Sequence, residues 1–156
     1  MSDSFIIGGN GMTVREAIDK DLSQITQLAG QLWPGHEAAA LREEMEQWIT
    51  GEDSAVFLIE IQGEALGFAQ CGLRYDYVEG CEIRPAAYLE GIFVTESQRG
   101  KGCGRALFGA CEKWGRERDA AEFASDCSLS NQISEAFHIR MGFQEVNRII
   151  CFAKKL

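Results

Sequence analysis

Apolar positions along the chain follow two different periods, and each change of period marks an element. Leu22, Ile25, Leu28, Ala29 and Leu32 recur at the three-and-four spacing of one helix face, with Asp19 ahead of them as the expected cap. This helix is expected to end at Trp33-Pro34-Gly35. Leu41, Met45, Trp48 and Ile49 repeat the helical pattern over residues 37–50, and Gly51 stops it. Before these helices, Met12 to Ala17 reads as a short strand. After them, the β-branched and aromatic run SAVFLIEI (54–61) reaches Gln62-Gly63 and returns from Ala65 to Leu73, which predicts a hairpin. A further strand is predicted from Ala87 to Val94.

In the second half, Leu107, Phe108, Cys111 and Trp114 form one helical stripe, and a strand is expected at 121–125. Ser130 is the expected cap of a last helix bearing Ile133, Ala136, Phe137 and Met141, with Ile133 and Phe137 facing the core. Alternation through Val146, Arg148, Ile150 and Phe152 predicts a final strand. The order β-α-α-β-β-β-α-β-α-β describes an α/β (α+β) fold, a mixed sheet flanked by helices. A chain of 156 residues suits one core. Residues 1–11, rich in Gly and Ser, read as a flexible leader, and residues 12–156 as a single domain.

Composition narrows the functional classes. A net charge of −9 opposes binding to nucleic acid phosphates and suits a cationic partner, although acidity also serves solubility alone. No apolar run approaches the roughly 18 residues of a membrane span, and the first residues lack a basic segment followed by a long apolar one, so a cytoplasmic location is expected. Cys71, Cys81, Cys103, Cys111, Cys127 and Cys151 form no CxxC pair and have no histidine at zinc spacing. They are expected to be reduced thiols, with no metal site.

The most informative stretch is VTESQRGKGCGRAL (94–107), where a strand runs into Arg99-Gly100-Lys101-Gly102-Cys103-Gly104 and then into a helix. Glycines let successive backbone N–H groups converge on an anion, and a helix N-terminus adds partial positive charge. Arg99 and Lys101 are able to add charge-assisted hydrogen bonds. The stretch fits neither the GxxxxGK[ST] phosphate loop nor the GxGxxG dinucleotide fingerprint.

This strand and loop resemble the pyrophosphate-binding motif of the GNAT superfamily of N-acetyltransferases, with Q/R-x-x-G-x-G/A at Arg99 to Gly104. The resemblance extends over nearly the whole chain from Met12 and implies the GNAT fold, with a mostly antiparallel central sheet and acetyl-CoA as cosubstrate. It places the coenzyme pyrophosphate on the loop, the pantetheine arm along Ile92, Phe93 and Val94, and a strand irregularity at Gly91. LWPGH (32–36), RYDYVEG (74–80), YLEGIFV (88–94), FASD (123–126), NQIS (131–134) and HIRMGFQE (138–145) are similar to one subgroup, the aminoglycoside 6′-N-acetyltransferases. By that resemblance Trp33, His36, Tyr77, Glu90 and Asp126 line an aminoglycoside pocket, Asn131 contacts the cofactor, and the protein is a homodimer.

The residues themselves admit more than one role. Glu90 interrupts an apolar strand, where burying a carboxylate requires a function or an ion-pair partner. Asp126 closes a strand at its carboxyl end, where open α/β sheets place ligands, but it also suits a turn or helix cap. Tyr77 fits edge packing or a substrate wall; Trp33 and His36 fit a helix-ending turn as well as a pocket.

For acetyl transfer to an ammonium-bearing acceptor, Glu90 is the expected base through a water, with Asp126 orienting the amino sugar and a backbone N–H near Ile92 stabilising the oxyanion. His138 stands where many GNAT enzymes carry a tyrosine that protonates the leaving thiolate. Asn131, Ser134 and His138 share one helix face, although water is also able to protonate a thiolate. Asn147 replaces an acidic residue common in the subgroup, with Glu145 as a partial substitute. Other readings are a GNAT enzyme acting on a polyamine, protein N-terminus or other small amine, and a non-catalytic acyl-CoA-binding sensor.

Overall fold

The computed structural model describes residues 5–6 and 11–156. Its sheet contains β1 (Phe5–Ile6), β2 (Met12–Glu16), β3 (Ser54–Ile61), β4 (Glu64–Arg74), β5 (Ala86–Val94) and β6 (Phe123–Ser125), in that spatial order. The first four junctions are antiparallel and β5–β6 is parallel. Gln62 and Gly63 both take positive φ, at 54° and 80°, the pairing that a tight two-residue hairpin between twisted strands requires.

Helices α1 (Leu22–Leu32) and α2 (Ala38–Thr50) cover one face of the sheet, where Ile25, Leu28, Leu41 and Met45 meet Val56, Leu58, Phe68 and Phe93. Helix α3 (Cys103–Arg116) covers the other, packing Leu107, Phe108, Cys111 and Trp114 on Val14, Phe57, Ile59, Cys71 and Leu89. Alternate residues of β3 and β4 therefore serve two cores, which explains why these strands are apolar on both sides. Helix α4 (Gln132–Arg140) contributes Phe137 to the α3 side, and Met141 and Phe143 follow it there.

Four expectations need correction. Asp19 begins a short 3-10 turn, and Asp21 precedes α1; its carboxylate accepts the Ile18 N–H at 2.8 Å and both near guanidinium nitrogens of Arg15 at 2.7 Å. The cap of α4 is Asn131, not Ser130, because its Oδ1 reaches the Ser134 N–H at 3.1 Å. Ile133 is 82% exposed, so the inward stripe on α4 is narrower than its sequence period suggests. The final strand is not formed: residues 143–156 carry no regular structure, and Val146, Ile150 and Phe152 are exposed. Alternation supplies a strand's two faces, but a strand also needs a backbone partner, and among the described residues this segment pairs with none.

The segment expected to be a leader is partly paired, with Phe5 opposite Val14 and Ile6 opposite Thr13. Residues 1–4 and 7–10 of that leader lie outside the described residues.

Candidate active site

Strand β5 carries one residue more than β4 at its centre. Gln70 pairs with Gly91 and Cys71 with Leu89, so Glu90 has no register partner and sits on a bulge. Gly91 follows, and a Cβ there would stand 2.8 Å from the Trp33 ring. The irregularity expected at Gly91 thus falls one residue earlier, while the glycine itself makes room for Trp33 at the end of α1.

Glu90 is joined to Asp126 through two intervening side chains. Arg74 Nη2 lies 2.6 Å from Glu90 Oε1, and its guanidinium carbon lies 3.3 Å from the centre of the Tyr88 ring. The Tyr88 hydroxyl donates to Asp126 Oδ2. Asp126 directly follows β6, whose Ala124 is in register with Tyr88. Burial first, and then the hydrogen bond to Asp126, pushes the Tyr88 phenol well above the usual tyrosine range. The ion pair foreseen as an alternative for Glu90 is present, and it lies within the same cluster as Asp126.

The parallel pairing of β5 with β6 stops at Leu89 opposite Ser125, whereas β5 continues to Val94. Ile92, Phe93 and Val94 therefore have no partner on the β6 side among the described residues, which leaves backbone donors and acceptors on that edge. Beyond β5, Gly100 and Gly102 take φ of 74° and 87° with open space around them, so their need for glycine is conformational. Gly102 caps α3 without a side chain, and the first helical bond runs from Ala106 N–H to Gly102 O at 3.0 Å. The N–H groups of residues 103–105 precede that bond and make a helix-end anion site.

The other loop residues differ among themselves. Arg99 folds back, its Nε donating to Val94 O at 2.9 Å with its guanidinium above Phe93. Lys101 is exposed. The Cys103 side chain is buried in the α3 core, so only its backbone faces the loop. A Cβ on Gly104 would stand 2.9 Å from Phe137, so this glycine lets α3 and α4 approach.

His138 turns its ring toward β6. Nδ1 is 2.7 Å from Ser134 O and Nε2 is 2.7 Å from Ser125 Oγ. A carbonyl only accepts, so Nδ1 donates to Ser134 O, and the one Ser125 hydroxyl proton is available either to Leu89 O or to Nε2. Ser125 Oγ also lies 3.2 Å from Leu89 O, at the last residue pair before β5 and β6 part. Asn131 uses its Oδ1 on the helix cap.

His36 is exposed beside Trp33, ring centroids 6.2 Å apart. Tyr77 is also exposed and donates to Glu79 Oε2 at 3.0 Å, and Asn147 Nδ2 donates to Glu79 Oε1 at 3.1 Å. Arg148 takes up Glu145, whose carboxyl it holds below its ordinary range. Glu145 is thus committed within the tail.

Sequence reading missed Arg74, Tyr88, Ser125 and Gln70. The first three lie inside the quoted motifs and carried the signal of a charge and two hydroxyls at strand positions. Gln70 is buried opposite the bulge with its Oε1 unpartnered among the described residues. A cavity of about 320 Å³ runs beside β6 and is lined in part by Phe108, Phe123, Ser125, Phe143 and Val146. Among the described residues, no group of three or more His, Cys, Asp and Glu is placed to hold a metal ion, and no helix is long and apolar enough to cross a membrane.

Residues 22–143 match the family model of the acetyltransferase (GNAT) family. The aminoglycoside N(6′)-acetyltransferase type 1 of Salmonella enteritidis is 38% identical over 144 residues, 92% of this chain and 99% of that protein. The protein of the same name from Acinetobacter haemolyticus is 33% identical, over 93% and 99%. Among solved structures, AAC(6′)-Iy in complex with the bisubstrate analogue CoA-S-monomethyl-acetylneamine superposes with a TM-score of 0.89 at 37% identity, covering 93% of this chain and 99% of that one. AAC(6′)-Iy in complex with CoA gives 0.91 at 36% identity, covering 97% and 100%. The chain belongs to the acetyltransferase (GNAT) family, and within it its similarity runs to the aminoglycoside N(6′)-acetyltransferases.

Proposed function

We propose that the protein transfers the acetyl group of acetyl-CoA to the 6′-amine of aminoglycosides and so confers resistance to them. The observation that carries this reading is the position of Glu90, on a bulge where β5 parts from β6 and linked through Arg74 and Tyr88 to Asp126. Two carboxylates suit a polycationic acceptor, and the relatives' names favour an aminoglycoside over a polyamine, a protein N-terminus or a purely binding role.

The residues fit acetyl-CoA on two observations: the unpartnered edge of Ile92–Val94 and the free N–H groups ahead of the first helical bond of α3. The edge receives the amide groups of the pantetheine arm; the loop from Arg99 to Gly104 receives the pyrophosphate. Trp33, His36 and Tyr77 form walls for the sugar rings, and Asn131 lies toward the cofactor. When bound, acetyl-CoA supplies the thioester carbonyl that the amine attacks.

Primary amines have pKa values of about 8–10, so the acceptor arrives protonated. Glu90 takes that proton through a water, Asp126 orients the ring, and the backbone N–H near Ile92 stabilises negative charge on the carbonyl oxygen. A protonated His138 is a proton source for the departing thiolate through Ser125 Oγ, since Nδ1 is held by Ser134. Coenzyme A release measured with kanamycin A, spermidine and no acceptor tests the reading. Turnover with kanamycin A alone is expected, and turnover with spermidine alone contradicts it.

The single domain, expected at 12–156 and joined by β1 in its sheet, works as a cytoplasmic homodimer. The apolar alternation of the tail, its exposure, the open edge of β6 and the cavity beside it support pairing of one copy's tail with the β6 edge of another.

A further inference from the structure

The slot that receives the acceptor already contains a cation. Arg74 Nη2 is 2.6 Å from Glu90 Oε1, and the guanidinium lies over the face of Tyr88, 3.3 Å from the ring centre. A carboxylate on one side and an aromatic face on the other form a receptor for any compact cation. The ammonium group of an amino sugar has the same requirements as the guanidinium that is there.

Nothing in the surroundings makes this pair permanent. The Arg74 side chain is 42% exposed and that of Glu90 is 26% exposed, so water replaces either partner at modest cost, and pairs of this kind contribute little to stability. Arg74 is also the last residue of β4, where the backbone leaves the sheet for the loop over 75–85. Its guanidinium is able to swing out without breaking the β4–β5 ladder. The contrast is Arg15, which grips Asp21 and Glu60 with four hydrogen bonds at 18% side-chain exposure and ties β2, β3 and the start of α1 together.

We infer that Arg74 is a specificity-determining residue, an internal cation that holds Glu90 in the free protein and that an ammonium group of the acceptor displaces on binding. This rests on the aminoglycoside reading and deepens it. With Arg74 in place, Glu90, Asp126 and Arg74 sum to one negative charge; with Arg74 displaced, the two carboxylates face the acceptor. Acceptors with several ammonium groups offset the displacement through Asp126 as well as Glu90, whereas a monoamine gains only what it takes from Arg74. The slot thus discriminates by number of charges before any chemistry occurs.

The test compares Arg74→Gln, Arg74→Met and Arg74→Lys in the full chain, by calorimetry with kanamycin A and with acetyl-CoA and by steady-state kinetics. Removing the guanidinium that the ammonium must displace from Glu90 is expected to tighten kanamycin A binding by about three- to tenfold in the Gln and Met variants. The KM for kanamycin A falls in step, while acetyl-CoA binding is unchanged. Arg74→Lys, which keeps the charge but loses the planar stack on Tyr88, is expected to fall between the parent protein and Arg74→Gln. A structural or orienting role gives the opposite sign, weaker binding and higher KM. Equal or weaker kanamycin A binding by Arg74→Gln and Arg74→Met, with acetyl-CoA binding intact, overturns the inference while leaving the function standing. A parent protein that neither binds nor acetylates kanamycin A removes both.

Discussion

The Tyr88 hydroxyl donates to the Asp126 carboxylate and so bridges β5 to the end of β6. Burial and this bond raise the Tyr88 pKa above the ordinary value of 10.0. The folded protein therefore holds the phenolic proton more tightly than the unfolded chain. The resulting stability is present in full below pH 10 and is lost as pH rises beyond it. In a titration followed by tyrosinate absorbance, Tyr88 is expected to ionise after exposed Tyr75 and Tyr77. Tyr88→Phe is expected to lack that last step and to lose less stability in alkali; an unchanged titration curve contradicts the assignment.

Gly102 combines a left-handed φ of 87° with a place at the N-terminus of α3. Asn and Asp both tolerate that conformation, so comparing them separates charge from strain. Gly102→Asp is expected to bind acetyl-CoA about tenfold more weakly than Gly102→Asn, from a carboxylate set against phosphate. Equal affinities in calorimetry would remove the loop from pyrophosphate binding.

Gly91 lies under Trp33 with no space for a methyl group. Gly91→Ala is expected to cost about 1–3 kcal/mol in denaturant unfolding and, if Trp33 lines the pocket as proposed, to weaken kanamycin A binding by displacing it. Adding Trp33→Phe, which shortens the facing ring, should recover part of the stability but not the binding. Additive losses in the double variant would show that the two residues are not coupled.

The proposed pairing of the tail between copies is tested by particle size. Light scattering of the full chain is expected to give a dimer, and a chain ending at Gln144 a monomer with Phe123 and Phe143 more exposed. An unchanged dimer after truncation places the interface elsewhere.

Much of this architecture is legible in the sequence because its cause is local. Helical spacing from Leu22 to Leu32 and the Gln62-Gly63 turn each satisfy a rule within a few residues, and the structure follows them. The loop from Arg99 to Gly104 is equally legible as a strand-to-helix turn, although Gly104 serves helix packing rather than backbone conformation. What was missed depends on neighbours distant in the chain. Arg74 meets Glu90, and Tyr88 meets Asp126, only because β4, β5 and β6 lie side by side. The bulge at Glu90 is a mismatch between two strands and is written in neither alone. Alternation in 146–152 shows a segment suited to pairing without naming its partner.

The central claim is that Glu90 and its surroundings direct one amine of an aminoglycoside to the thioester. Its most direct test is the product formed from acetyl-CoA with kanamycin A and with an analogue bearing a hydroxyl in place of the 6′-amine, identified by mass spectrometry and NMR for the parent protein and Glu90→Gln. The account predicts a single 6′-N-acetyl product from kanamycin A and none from the analogue. It also predicts a loss of rate in Glu90→Gln that is largest at acidic pH, where the amine is hardest to deprotonate. Acetylation of the analogue at another amine at a comparable rate, or a Glu90→Gln variant with the parent's pH–rate profile, would contradict it.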